Sequence, residues 1–263
     1  MSKFDFQKVA ANYDDIHVHS TTVSTDIGRY LATHVGLGGR ILEIGIGTGR
    51  IAAPVVANGC TLVGFDVSPG MLHGATQRGL DKLVVADMMA MPFATGSFDA
   101  TLAVHVLHHA SDWREVLRES VRVLREGGLF IEGRDWNDPA SPAMRMRNRM
   151  REVIMALSPG IRPPGAGAAK QQFLARIGAE PIPEGVAASW QAFASPAQML
   201  AQMQSRSDPE TWAIEPTLLD ATLVKVAEWA HEEWPDFDTV VPYERRFVIN
   251  SYRIHHQAAE VAR

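Results

Sequence analysis

The sequence predicts an α/β fold built on a mostly parallel sheet, and three observations carry that reading. Short apolar runs alternate with helical patterns from Gly38 to Asn137. Glycine, proline or asparagine stands at the breaks between them, where turns belong. A glycine-rich segment follows the first run directly, the place where a strand hands over to a helix. Strands alternating with helices at this spacing imply right-handed crossovers, and hence parallel neighbours.

The elements follow in order. Arg40–Gly45 (RILEIG) reads as a buried strand ending in glycine, and Thr48–Asn58 as a helix stopped by Asn58-Gly59. Thr61–Asp66 (TLVGFD) is the second strand, and Ser68-Pro69 opens the next helix, where proline is tolerated in the first turn. Lys82–Asp87 and Phe98–Val106 are strands three and four, the latter rich in apolar and β-branched residues. Asp112–Arg125 is the clearest helix. Trp113, Val116, Leu117, Val121 and Leu124 share one face, Ser111 or Asp112 caps the start, and Gly127-Gly128 ends it. A fifth strand begins at Leu129–Glu132.

Two regions flank this core. Residues 1–37 read as a helical N-terminal cover, with Ile27, Tyr30, Leu31 and Val35 in a stripe through Thr21–Val35. Residues 138–263 hold helices at Met144–Leu157, Pro196–Gln204 and Glu210–Glu233, and strands at Val186–Ala194 and Arg246–His255. Gly160–Gly167 is a Pro/Gly-rich loop. The expectation is one domain over 1–263: a cofactor-binding core at 38–137, completed by the remaining strands and a helical substrate cover.

Composition narrows the function. Apolar residues make up 46% and charged residues 21%, as in a globular protein with a real core. A net charge of −5 argues against nucleic acid, which calls for a strong positive field. Cys60 is the sole cysteine, so no internal disulfide forms. No run approaches the roughly 18 apolar residues of a membrane span, and MSKFDFQKVA lacks the apolar stretch of a signal peptide. A cytoplasmic location without membrane association is the expectation.

In an open parallel sheet, ligands bind beyond the carboxyl ends of the strands, where strand order reverses. The first strand ends in Glu43-Ile44-Gly45-Ile46-Gly47-Thr48-Gly49. Glycines there let the backbone approach a ligand, and the helix behind them offers free N–H groups to an anion. The spacing is G-x-G-x-G, not the G-x-G-x-x-G of dinucleotide sites. Asp66 ends the second strand, where a carboxylate can accept two ribose hydroxyls. Asp87 ends the third, within reach of an adenine amino group or acting only as a solvated turn residue.

ILEIGIGTGR, VGFDVSPGML, VVADMMAMPFATGSFDATLAVHVLHH and VLREGGLFIEG together resemble the class I S-adenosylmethionine-dependent methyltransferases, of the ubiquinone- and menaquinone-biosynthesis type. The resemblance covers about residues 38–137, with an echo in Ala10–Asp14. It implies a Rossmann-like, seven-stranded, mostly parallel sheet with helices on both faces and an antiparallel last strand, which Arg246–His255 supplies. It implies S-adenosyl-L-methionine as cofactor. Gly45, Ile46, Gly47 and Gly49 would bracket its methionine part, supported by Glu43. Asp66 would bind the ribose, Val67 and Met71 would flank the adenine, and Asp87 would meet its amino group beside Met88. His105 would border the methyl group, and Tyr13 would close over the methionine end.

The implied reaction is in-line displacement of the methyl group by an O, N or C nucleophile of a small molecule. Alignment and exclusion of water supply most of the catalysis. Where the acceptor carries a proton, a base helps; His105, His108, His109 and Asp135 follow strands four and five and are the candidates. The histidines between Val104 and Ala110 are not expected to hold a metal, since no cysteine lies nearby and Asp112 is explained as a cap. His17 and His19 either line the entrance or lie exposed. Arg145, Arg147, Arg149 and Arg151 read as a solvated face opposite Met146, Met150, Val153, Ile154 and Leu157. Trp190, Phe193, Trp212, Trp229 and Trp234 line an apolar pocket or fill the core of the cover. A nicotinamide-dependent oxidoreductase, or a non-catalytic S-adenosylmethionine-binding module, are the competing functions.

Overall fold

The computed structural model describes residues 19–160, 167–205 and 214–256. Its strands are β1 (Arg40–Ile44), β2 (Thr61–Asp66), β3 (Leu83–Val85), β4 (Phe98–Val104), β5 (Leu124–Asn137), β6 (Ala179–Ala194) and β7 (Val241–Ile254). They form one seven-stranded sheet in the order β3-β2-β1-β4-β5-β7-β6, with β7 antiparallel. β1 pairs in parallel with β2 and with β4, Ile44 standing opposite Phe65 on one side and Ala103 on the other. Strand order therefore reverses at β1, and the carboxyl ends of β1, β2 and β4 lie side by side.

Local chemistry sets most element ends. Helix α1 (Thr21–Val35) starts where the Ser20 hydroxyl accepts from the Val23 N–H at 3.3 Å, and stops at Gly36. It buries Val23, Ile27 and Leu31, and Gly28 lies so close to Pro54 that a Cβ would sit 2.5 Å from its carbonyl. That contact seats α1 on α2 (Ala52–Ala57). Ser68 caps α3 (Pro69–Gln77) and Asp112 caps α4 (Trp113–Val123). The sheet core gathers Leu42, Ile44, Phe65, Phe98, Leu117, Leu124 and Phe130, each at most 1% exposed.

Several expected boundaries move. Helix α2 begins at Ala52, not Thr48, because Gly47 and Gly49 both take positive φ and carry the chain through a turn first. Helix α4 ends at Val123, before the Gly127-Gly128 stop, because Leu124 pairs with Phe98 across the sheet. Tertiary pairing thus overrides the local helix stop. β6 runs from Ala179, earlier than Val186, and includes Pro181 and Pro183. It is an edge strand, where proline is tolerated because one row of N–H groups has no strand to pair with. β7 likewise starts earlier, at Val241, and α6 (Gly167–Arg176) was not anticipated.

The chain divides into two compact units: Met1–Asp135 with Ala166–Ala188 and Phe247–Arg263, and Trp136–Gly165 with Ser189–Arg246. The stretch expected as one continuation over 138–263 is thus shared between them. In the second unit, α5 (Pro142–Leu157), α7 (Pro196–Gln204) and α8 (Pro216–Glu233) enclose Met146, Met150, Ile154, Leu200, Leu219, Leu223 and Val226. The arginines of α5 are half-buried and not a solvated face. Arg145 pairs with Glu233 and lies 5.2 Å from the Trp234 ring, while Arg149 lies 5.9 Å from Trp229. Leu157, expected inside, is 42% exposed, as is Phe193 at 64%. Trp190 packs under Arg245; Trp212 and residues 161–166 lie outside the described residues. No described helix is long and apolar enough to cross a membrane.

Candidate active site

The turn after β1 is the centre of the site. Gly45, Gly47 and Gly49 have φ of 62°, 56° and 77°, the left-handed region that side chains disfavour. Space distinguishes them. A Cβ on Gly45 would lie 2.3 Å from Val106, and one on Gly49 2.4 Å from Leu80, whereas one on Gly47 would meet nothing within 4 Å. Gly45 and Gly49 are therefore packing glycines, and Gly47 opens onto free space. Ile46 turns inward, 5% exposed, and lies against the bare face of Gly64 on β2.

A cavity of about 40 Å³ lies over this turn, lined by Glu43, Gly45, Ile46, Gly47, Thr48, Arg50, Ile51, Val104 and His105. Glu43 is 3% exposed, and its Oε2 has no hydrogen-bond partner among the described residues. Burial pushes its carboxyl up to about 8, against the pull of Arg50. A buried carboxyl oxygen without a donor is costly and suits an incoming N–H.

Asp66, at the tip of β2, accepts from the Gly47 N–H at 3.0 Å and the Ser68 N–H at 2.9 Å. It thereby pins the glycine turn to the next strand. Burial raises its carboxyl, and these backbone bonds partly oppose that shift. Val67 beside it is 66% exposed, while Met71 is 3% exposed in the first turn of α3. Asp87 is exposed and closes its own turn by accepting from the Met89 N–H at 2.9 Å; Met88 packs partly against the sheet core.

On the other side, His105 follows β4 with a φ of 49°, the sole described non-glycine residue with positive φ. Its Nε2 lies 3.1 Å from Asp135 Oδ2 near the end of β5. His19, buried to 2% of its side chain, reaches the other Asp135 oxygen through Nε2 at 2.8 Å. Burial works against the Asp135 charge, but the bonds from His105 and His19 outweigh it and hold the carboxyl well below the usual range. The Nδ1 of His19 in turn lies 2.7 Å from Arg50 Nη1. The His19 side chain is thus not exposed. His109 sits in a short turn (Leu107–His109), its ring 3.9 Å from that of His108. Desolvation, then His108 and His105, lower it to about 4, so its imidazole is neutral near pH 7. No three His, Cys, Asp or Glu among the described residues gather to hold a metal. Tyr13 and His17 lie outside the described residues.

The structure thus brings Glu43, the glycine turn, Asp66, His105 and Asp135 to one end of the sheet. Sequence reasoning missed Arg50 and Gly64. A glycine inside a strand signals a close approach, and a cation directly after the glycine turn signals an anion; both were there to be read.

A family described as a methyltransferase domain matches residues 42–131, the span from β1 to β5 that builds this end of the sheet. That segment of the chain is thus similar to a methyltransferase domain. A demethylmenaquinone methyltransferase of Paenarthrobacter aurescens is 30% identical over 160 residues, 59% of this chain and 62% of that protein. The chain spans between 52% and 62% of the length of the first curated relatives it matches. Among solved structures, a putative methyltransferase from Bacillus halodurans superposes with a TM-score of 0.56 at 16% identity, covering 86% of this chain and 97% of that one. A possible histamine N-methyltransferase of Thermotoga maritima gives 0.53 at 19%, covering 94% and 97%. These two share the fold of the methyltransferase domain.

Proposed function

We propose that the chain moves the methyl group of S-adenosylmethionine to an O, N or C nucleophile of a small molecule. The observation that carries the reading is the open face of Gly47 between the Asp66 carboxylate and a buried Glu43 oxygen that has no partner among the described residues. The residues fit the cofactor: a donor-poor acidic pocket for its ammonium, a bare backbone for its chain, and a carboxylate at the next strand tip for its ribose. The cofactor supplies an electrophilic methyl carbon on a sulfonium, which leaves as a neutral thioether.

In this reading Gly45, Ile46, Gly47 and Gly49 shape the turn, and Glu43 takes the ammonium. Asp66 keeps lone pairs for ribose hydroxyls beyond its two backbone bonds. Val67, Met71 and Met88 offer apolar surface to the adenine, and Asp87 a carboxylate at its edge. Tyr13 belongs to the same proposed set. His105, held by Asp135, wards the acceptor side; where the acceptor carries a proton, His105 takes it, and Asp135 steadies the imidazolium that results, a contribution on the order of 10²–10⁴-fold. His109, kept neutral, is the second candidate base. The relative's name, a quinone-type methyltransferase, supports a small acceptor over a protein or nucleic acid.

Calorimetric titration of the chain with S-adenosylhomocysteine and with NAD decides the cofactor. Release of S-adenosylhomocysteine in a metabolite extract, with a product heavier by one methyl, decides the activity. Binding without any such release identifies a non-catalytic module, and binding of NAD alone overturns the proposal.

A further inference from the structure

Resting on the cofactor reading above, we propose that Arg50 binds the carboxylate of the cofactor's amino-acid end, with His19 as the positioning residue that aims it. Glu43 and Arg50 then form a two-ended receptor for a zwitterion.

Both charges line the same small cavity over the glycine turn. An amino-acid end carries an ammonium and a carboxylate on one carbon, so a pocket built for it needs an acceptor and a cationic donor within one residue's reach. Glu43 Oε2 is the acceptor, buried and without a donor among the described residues. Arg50 is the cation, and its guanidinium carries five N–H groups in a planar fork suited to a carboxylate. α2 has six residues and starts only at Ala52, behind an Ile51 that offers no side-chain cap.

The aim of Arg50 comes from across the site. Its Nη1 meets His19 Nδ1 at 2.7 Å, and His19 Nε2 meets Asp135 Oδ1 at 2.8 Å. Asp135 lies on the Nε2 side of His19 and Arg50 on its Nδ1 side, so the imidazole links the carboxylate to the guanidinium. The ring is held further by Phe247, edge-on at 5.7 Å between centroids. Asp135 also carries His105. A hydrogen-bonded chain therefore runs from the acceptor side of the site to the residue that would hold the donor's amino-acid end.

Calorimetry on the full chain with three probes tests this. S-Adenosylhomocysteine carries ammonium and carboxylate, S-adenosyl-3-thiopropylamine only the ammonium, and 5′-methylthioadenosine neither. The wild type binds S-adenosylhomocysteine on the order of tenfold tighter than the thiopropylamine. Arg50→Gln brings that ratio close to one while leaving methylthioadenosine unchanged, and Arg50→Lys restores part of it. His19→Phe lowers the ratio in the same direction. Glu43→Gln weakens both amine-bearing probes and spares methylthioadenosine. Equal weakening of all three probes by Arg50→Gln makes Arg50 a merely structural part of the turn and overturns the inference. A wild type that binds S-adenosylhomocysteine no better than the thiopropylamine also overturns it, with the cofactor reading intact. If none of the three binds, the cofactor reading fails and the inference with it.

Discussion

Glu43 carries a proton near neutrality that the unfolded chain would not hold. Its folded pKa of about 8 lies above the ordinary 4.5, so the stability it lends is greatest below pH 4.5, declines as pH rises to about 8, and is level beyond. Glu43→Gln should flatten that part of a pH–stability profile followed by urea denaturation. Ligand binding runs with the opposite sign. A cation beside Glu43 favours the ionised carboxyl, so S-adenosylhomocysteine should bind more tightly from pH 6 to 8 and release a proton as it does. Calorimetry in buffers of different ionisation heat measures that release; no release would remove Glu43 from contact with the ammonium. Asp66→Ala and Gly47→Val should each abolish measurable binding with the fold retained by circular dichroism. The first removes the carboxylate that accepts from two backbone N–H groups and would bind the ribose, where each bond to a charged group is worth roughly 1.5–3 kcal/mol. The second puts a β-branched side chain at a left-handed position. Unchanged affinity in both would remove the assigned site. At this scale Glu43, the glycines and Asp66 were legible, because a motif at a strand end fixes both type and place. Asp135 was a candidate only from its position; its two histidine partners, one of them 116 residues away in sequence, are a product of folding.

The elements record where local signals suffice and where pairing overrules them. Caps at Ser20, Ser68 and Asp112 stand where short polar side chains precede apolar periodicity, and those starts were readable. The end of α4 was not, since the register of β4 against β5 recruits Leu124 into the sheet. β6 hid behind two prolines whose harmlessness depends on its edge position, a fact of strand order. Gly64 shows how an element serves the site. It is the flat place on β2 against which Ile46 lies, and a Cβ there would come within 2.1 Å of the Ile46 Cδ1. Gly64→Ala should cost about 1–3 kcal/mol of stability by overpacking, read as a lower urea midpoint. It should also weaken S-adenosylhomocysteine binding, since the turn must move to relieve the clash. Full affinity in a destabilised variant would show that Ile46 yields without shifting the glycines.

Across the whole molecule, the sheet and its topology were predictable because alternating strands and helices admit few arrangements. The division into two compact units was not: the second is assembled from segments separated by Ala166–Ala188, and contiguity in sequence says nothing of that. Its methionine-rich centre differs in chemistry from the aromatic and branched core of the sheet. Met150→Ala, at 2% exposure, should lower stability by about 2–5 kcal/mol. All the described residues assigned to the cofactor lie in the first unit. Affinity for S-adenosylhomocysteine should therefore stay within roughly twofold in this variant, as expected for sites without shared partners. A large loss of affinity would tie the two units into one thermodynamic body.

The left-handed backbone at His105 sets a filter that ring chemistry alone would not suggest. In a saturation library at this position, glycine, asparagine and aspartate should be recovered folded more often than leucine, and valine, isoleucine and threonine least of all, whatever each does to turnover. The short roster of tolerated amino acids leaves the protein few ways to retune that wall of the pocket by single substitution. Changes in acceptor preference would accordingly accumulate at positions with freer main-chain torsions.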